Sequence, residues 1–197
     1  MEFMIFDCET TGLPKNWRAP VTQTDNWPRI VQLAWNTYDS DYSLISSNSR
    51  IVFPEGFSIP KDATKIHGIT TELARKKGRL IAEVLTEFQN DLSKAQVRYA
   101  HNADFDGKVI GAEYLRQGLR IPSDLASLNC TMKLTTDYCA IPGQYGNKWP
   151  TLEELYETLF GESFAGAHDA LIDVEACAKC VFELIDRGLL RTNTRRF

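Results

Sequence analysis

Apolar positions come first as a short run. Phe3-Met4-Ile5-Phe6 meets an acid at Asp7, and a strand over Glu2–Asp7 is predicted. Arg29–Tyr38 (RIVQLAWNTY) and Leu44–Phe53 (LISSNSRIVF) are two further β segments, and Asp39-Ser40-Asp41 between them suits a hairpin turn. The pattern then changes to a helical period. Pro60–His67 and Thr70–Lys77 are short helices, and Leu80, Val84, Leu85, Phe88 and Leu92 mark a longer amphipathic one. Gln96–Ala100 is a short strand. The next helix starts at Asp104 or Phe105, runs to Gln117 and is stopped by Gly118 and Pro122. Leu128–Thr131 is a last strand. A helix opens at Pro150 with a capping box from Thr151 to Glu154. Asp169–Arg187 is the final helix, closed by Gly188. Strands in a run, then strands alternating with helices, indicate an α/β domain with a mixed sheet.

One segment has no period. Pro14–Pro28 carries three prolines with Trp17 and Trp27. A loop of that length with exposed aromatics suggests a functional loop near a site. The two tryptophans either stack on a ligand or cap the sheet, and the sequence favours neither.

Size and composition narrow the class. At 197 residues and 22.3 kDa the chain fits one domain with its own core. Residues 1–190 are expected to form that domain, followed by a short basic tail over 191–197. No stretch approaches the ~20 apolar residues of a membrane span. The N-terminus lacks the basic region of a signal peptide, so the expectation is a cytoplasmic protein that does not engage membranes. Five cysteines include the pair Cys177 and Cys180. A CxxC invites a zinc or redox reading, but no second pair exists and i,i+3 spacing simply puts both on one helix face.

The net charge of −4 argues against bulk electrostatic attachment to nucleic acid. It is compatible with a site that recruits divalent cations, whose charge in turn attracts phosphate. The basic run Arg75–Arg79 is either a backbone track or a solvated turn.

The acids fall in three separated motifs. Asp7-Cys8-Glu9-Thr10-Thr11-Gly12 follows the first strand. Alternation puts Asp7 and Glu9 on one face and Cys8 on the other, and two carboxylates there suit a hard cation. Gly12 permits a tight turn whose backbone faces a ligand. The same Asp-x-Glu spacing recurs at Asp173-Val174-Glu175, but mid-helix, where i,i+2 side chains diverge. His101-Asn102-Ala103-Asp104-Phe105-Asp106 also follows a strand. Asp104 suits a helix N-terminus, whereas Asp106 is the site candidate. His168-Asp169-Ala170-Leu171-Ile172-Asp173 places a histidine just ahead of a helix, a residue type suited to general-base proton removal.

Together these three motifs resemble those of the DEDDh, DnaQ-like, 3′–5′ exonucleases, a group that includes the epsilon proofreading subunit of bacterial DNA polymerase III, RNase T and oligoribonuclease. Asp-x-Glu-Thr-Thr-Gly, His-Asn-x-x-Phe-Asp and His-x4-Asp match in order and spacing. Ile66-His67-Gly68-Ile69-Thr70 is similar to the His-Gly-Ile segment of epsilon-like members. The resemblance covers Phe3 to about Leu190.

It implies a ribonuclease H-like fold and a two-metal phosphodiesterase. Asp7, Glu9, Asp106 and Asp173 would hold two Mg²⁺ or Mn²⁺ ions, with Asp7 shared. His168 would deprotonate the attacking water. Glu9 and the backbone near Thr10 would read the terminal 3′-hydroxyl. Leu13 and Ile66 would flank the terminal base, with His67, Asn102 and Phe105 near it. Products would be nucleoside 5′-monophosphates. The partner is a nucleic-acid 3′ end. The His-Gly-Ile-Thr stretch leans to DNA, with an RNA exonuclease or a non-catalytic binding module as alternatives. Polymerase association is compatible but not required. Four adjacent carboxylates cannot all stay ionised without cations, so the site is expected to be more stable with metal than without it.

Overall fold

The computed structural model describes residues 1–190; the basic tail at 191–197 lies outside the described residues. Its centre is a five-stranded mixed sheet. β1 (Phe3–Thr10), β2 (Ile30–Tyr38) and β3 (Leu44–Ile51) form an antiparallel meander. β4 (Val97–Ala100) and β5 (Asn129–Cys130) add in parallel beyond β1, giving the order β3-β2-β1-β4-β5.

The pleat of β1 sorts its side chains between two cores. Met4, Phe6 and Cys8 face one side, with Leu33 and Trp35 of β2. They pack against α3 (Ile81–Leu92) and α4 (Ala103–Arg116). Phe3 and Ile5 face the other side, against α7 (Leu152–Phe160) and α8 (Ala170–Asp186). Asp7 and Glu9 continue that second row, so the strand delivers both carboxylates to the face that α8 covers.

Two features of β1 differ from expectation. The strand does not end at Asp7 but runs to Thr10, because β2 keeps pairing with it: Glu9 lies opposite Gln32 and Thr10 opposite Ile30. Long-range pairing overrides the local turn signal of Thr-Thr-Gly. The register slips by one residue between Glu9 and Thr10, a bulge of the kind that re-aims side chains at a sheet end. The acids therefore sit on regular strand, not in the turn beyond it.

Elsewhere the ends of the expected elements shift by two residues at most. Short helices occupy α1 (Lys61–His67) and α2 (Thr71–Lys77). Of the basic run, Arg75, Lys76 and Lys77 form the exposed last turn of α2, and Arg79 pairs with Glu83 and Glu87, so it is solvated but mostly helical rather than a turn. Cys177 and Cys180 are both buried in the second core. The region 131–147 carries structure that the period did not reveal: α5 (Thr131–Leu134), α6 (Thr136–Cys139) and a small hairpin of β6 (Pro142–Gly143) with β7 (Gly146–Asn147). No helix among the described residues is long and apolar enough to cross a membrane.

Candidate active site

β4 is short, and β1 outruns it. Their pairing covers only Phe3, Ile5 and the residue between, so the β1 backbone beyond Ile5 has no strand partner on that side. The chain leaves β4 through His101 and Asn102 and turns into α4. Asn102 makes that turn in the left-handed conformation, φ 71°, which asparagine tolerates better than most residues. His101 braces it, its ring nitrogens 2.9 Å from Thr131 Oγ1 and 3.0 Å from the Pro150 carbonyl. The first turn of α4 then carries Asp106 into the gap. Its carboxylate accepts from the backbone N–H of Cys8 at 3.2 Å and from the Cys8 thiol at 3.0 Å. Asp106 thus satisfies a strand donor that β4 leaves free.

α8 brings the third motif. Asp169 is its N-cap, accepting from Leu171 N at 2.9 Å. The Ala170 N–H donates to Gln32 Oε1 at 3.3 Å, which pins the helix start to β2 opposite Glu9. His168 lies just before the cap with φ 72°, a costly angle for a non-glycine residue. Its backbone N–H donates to Asp173 Oδ2 at 3.1 Å. Two residues earlier, Gly166 has φ +86°, and a Cβ there would meet Ile172 Cδ1 at 2.5 Å. The positive φ favours glycine there, and any side chain would in addition have to displace the tip of Ile172.

These elements converge. Ligand atoms of Glu9, His168 and Asp173 all lie within 4.8 Å of one another. Asp7 is close enough to Asp106, Asp173 and Glu9 to feel the charge of each. Burial, then those three charges, hold the Asp7 carboxyl well above its usual range. Burial and then Asp173, Asp106 and Asp169 push Glu9 up to about 8. Burial raises Asp106 to about 7 against the opposing pull of its Cys8 hydrogen bonds. Burial also raises Asp173 to about 6, offset by the His168 backbone and ring. An all-oxygen carboxylate set whose members resist ionising together is a fit for hard divalent cations such as Mg²⁺ or Mn²⁺.

The remaining candidates surround this cluster unevenly. Thr10 is buried, and its hydroxyl donates to the Gly12 carbonyl at 2.6 Å, closing the turn after the strand. Leu13 (73% exposed) and Ile66 (58%) leave large apolar side chains in water. His67, at the end of α1, lies near the Thr10 carbonyl and His168, and burial lowers its pKa. Its Nδ1 accepts from Ile69 N, while its Nε2 has no partner. Asn102 and Phe105 line a groove beside the cluster. Asp104 pairs with Lys133 and is exposed. The sequence reading missed Gln32, whose only signal is a polar residue in the apolar first half of its strand. It also missed Lys108, Lys133 and Trp149, which line the groove and carry no motif.

Comparisons with known proteins bear on the family and the fold. A family model described as Exonuclease (RNase_T) matches residues 4–181. The DNA polymerase III subunit epsilon of Treponema pallidum (strain Nichols) is 34% identical over 111 residues, 56% of this chain and 45% of that protein. The PolC-type DNA polymerase III of Streptococcus suis (strain 98HAH33) is 28% identical over 193 residues, 97% of this chain and 12% of that protein. The crystal structure of E. coli Exonuclease I in complex with a dA16 oligonucleotide superposes with a TM-score of 0.75 at 22% identity, over 94% of this chain and 41% of that one. That likeness is one of fold, the expected ribonuclease H-like one. The chain spans less than half the length of each of these three proteins.

Proposed function

The chain belongs to the RNase_T exonuclease family, and from that premise we propose that residues 1–190 form a metal-dependent 3′–5′ exonuclease unit. It would remove nucleotides from single-stranded or frayed DNA 3′ ends in the cytoplasm. The carrying observation is the meeting of Asp7, Glu9, Asp106, Asp173 and His168 at one end of the sheet. Asp7, Glu9, Asp106 and Asp173 would hold two Mg²⁺ or Mn²⁺ ions. When bound, such ions supply charge neutralisation and Lewis-acid stabilisation of an in-line phosphoryl displacement.

The residues themselves have distinct tasks. His168 takes a proton from the attacking water. Water oxygen bonds to phosphorus, the bond to the 3′ oxygen breaks, and that oxygen takes a proton from solvent. A nucleoside 5′-monophosphate leaves, and the shortened strand ends in a new 3′-hydroxyl. The strained backbone at His168, tied to Asp173, keeps the imidazole facing the cluster. Glu9 and the Thr10 backbone read the terminal 3′-hydroxyl, which makes the action exo rather than endo. Leu13 and Ile66 bracket the terminal base, with His67, Asn102 and Phe105 beside it. Their exposed apolar surface is what a stacked or wedged base would cover.

DNA is favoured by the His-Gly-Ile-Thr stretch and because the two curated relatives are named as DNA polymerase III proteins. Association with a polymerase is compatible with this reading and not needed by it. The test is product release from matched 5′-labelled DNA and RNA single strands, in Mn²⁺ and in EDTA. A ladder shortening from the 3′ end, with 5′-monophosphates released faster from DNA, is expected. Faster RNA cleavage would overturn the DNA preference. No release by the wild type from either would favour a binding module.

A further inference from the structure

Beside the carboxylate cluster runs an open groove of about 450 Å³, between the Pro14–Pro28 loop, the start of α4 and the start of α5. That is within the roughly 300–1,000 Å³ of ordinary ligand sites. It adjoins the cluster through the first turn of α4, whose Asn102 cap and Phe105 line the groove and whose Asp106 belongs to the cluster. Trp17 and Trp149 stand on its walls, 50% and 60% exposed. The Trp17 and Phe105 rings are 5.7 Å apart and tilted 45° to each other. Trp27, by contrast, is buried, with its Nε1 donating to the Pro20 carbonyl, and forms part of the floor.

Two cations are set among these rings. Lys108 Nζ lies 5.0 Å from the Trp27 ring and donates to the Trp17 carbonyl at 3.2 Å. Lys133 Nζ lies 5.9 Å from the Trp149 ring and pairs with Asp104. In a chain of net charge −4 this local alternation of aromatic faces and ammonium groups is specific. A purely apolar ligand would have no use for the lysines. Duplex DNA would have no free base faces for the rings, since its bases already stack on one another. Unpaired bases with phosphates between them answer both.

We propose that this groove is the track for single-stranded DNA entering the site, with nucleotides 5′ of the scissile bond stacked on Trp17 and Trp149 and their phosphates beside Lys108 and Lys133. The assignment rests on the exonuclease reading above. Lys133 exchanges its Asp104 carboxylate for a phosphate when a strand arrives. The Pro14–Pro28 loop thereby becomes a part of substrate binding through Trp17, while its Trp27 is structural.

The test compares two substrates in each variant. The p-nitrophenyl ester of thymidine 5′-monophosphate has nothing to place in the groove, whereas an oligothymidylate of about ten nucleotides fills it. In Trp149→Ala and Trp17→Ala the ratio of oligomer to ester kcat/KM is expected to fall about tenfold, mainly through KM. Lys133→Gln is expected to lower the same ratio and flatten its salt dependence. Equal changes on both substrates, or none on either, overturn the proposal. A second readout needs no turnover. In EDTA the oligomer is expected to quench wild-type tryptophan fluorescence, and most of that quench is expected to vanish in Trp149→Ala. If the wild type cleaves neither substrate, the exonuclease reading falls and the quench alone decides the groove: its presence sustains the track, its absence removes it.

Discussion

Cys8 lies between two of the acids in sequence yet on the opposite face of β1, and its N–H and thiol both reach Asp106. Single residues here act in pairs of this kind. Asp7 is held well above its usual range by burial and then by the like charges of Asp106, Asp173 and Glu9. Asp7→Asn should therefore relieve repulsion and raise the melting temperature in EDTA, while removing most of the gain that Mn²⁺ gives the wild type and abolishing turnover. A variant that melts lower in EDTA and keeps its Mn²⁺ gain would contradict the crowding. His168→Gln should retain folding and metal binding but lose about 10²–10⁴ in kcat.

The same crowding sets a pH dependence. Glu9 is raised to about 8, Asp106 to about 7 and Asp173 to about 6. In the unfolded chain such groups titrate near pH ~4. Between these limits the native state holds more protons than the unfolded one. Stability from these groups is thus present below the window and lost as pH rises through it. On the proposed function, cations would replace those protons. The gain in melting temperature from millimolar Mn²⁺ over EDTA should widen from about pH 5 to about pH 8. A gain independent of pH would contradict the assignment.

At the scale of elements, the site depends on how α4 and α8 are anchored to the sheet. Gln32 holds the start of α8. α4 is held at its far end by Glu113, buried and paired with Arg29 at 2.8 Å and Arg116 at 2.9 Å. Arg116 also donates to the Thr24 and Trp27 carbonyls, at 2.7 and 2.6 Å. This one carboxylate therefore ties the helix that carries Asp106 to β2 and to the Pro14–Pro28 loop. Removing one partner from a buried ion group strands the others. Glu113→Ala should cost about 3 kcal/mol in urea unfolding. It should also weaken oligomer cleavage, because Trp17 rides on the loop. A loss under roughly 1 kcal/mol would place the triad among ordinary surface pairs.

Across the whole molecule, the sequence was most legible where the signal is periodic or a motif is local. The three strands of the meander, the hairpin between β2 and β3, α3, α4, α8 and the Thr151 capping box followed from local pattern, and the acid motifs from their positions at strand ends and helix starts. Less was legible where distant pairing decides. β1 reaches Thr10 because β2 holds it there. α5 and α6 are four residues each, too short to show a period. The groove joins Trp17, Lys108 and Trp149, which only folding brings together. Trp27 shows the limit from the other side: the sequence left it between stacking and capping, and burial decides for the core.

The central claim is that Asp7, Glu9, Asp106 and Asp173 form one cation site with His168 beside it. An anomalous-scattering map from crystals grown with Mn²⁺ and thymidine 5′-monophosphate tests this most directly. The account predicts two Mn²⁺ peaks enclosed by the four carboxylates, with the phosphate between them and the His168 imidazole unligated. No peak there would contradict it. So would a single ion held by Glu9, His168 and Asp173 with Asp7 and Asp106 left aside.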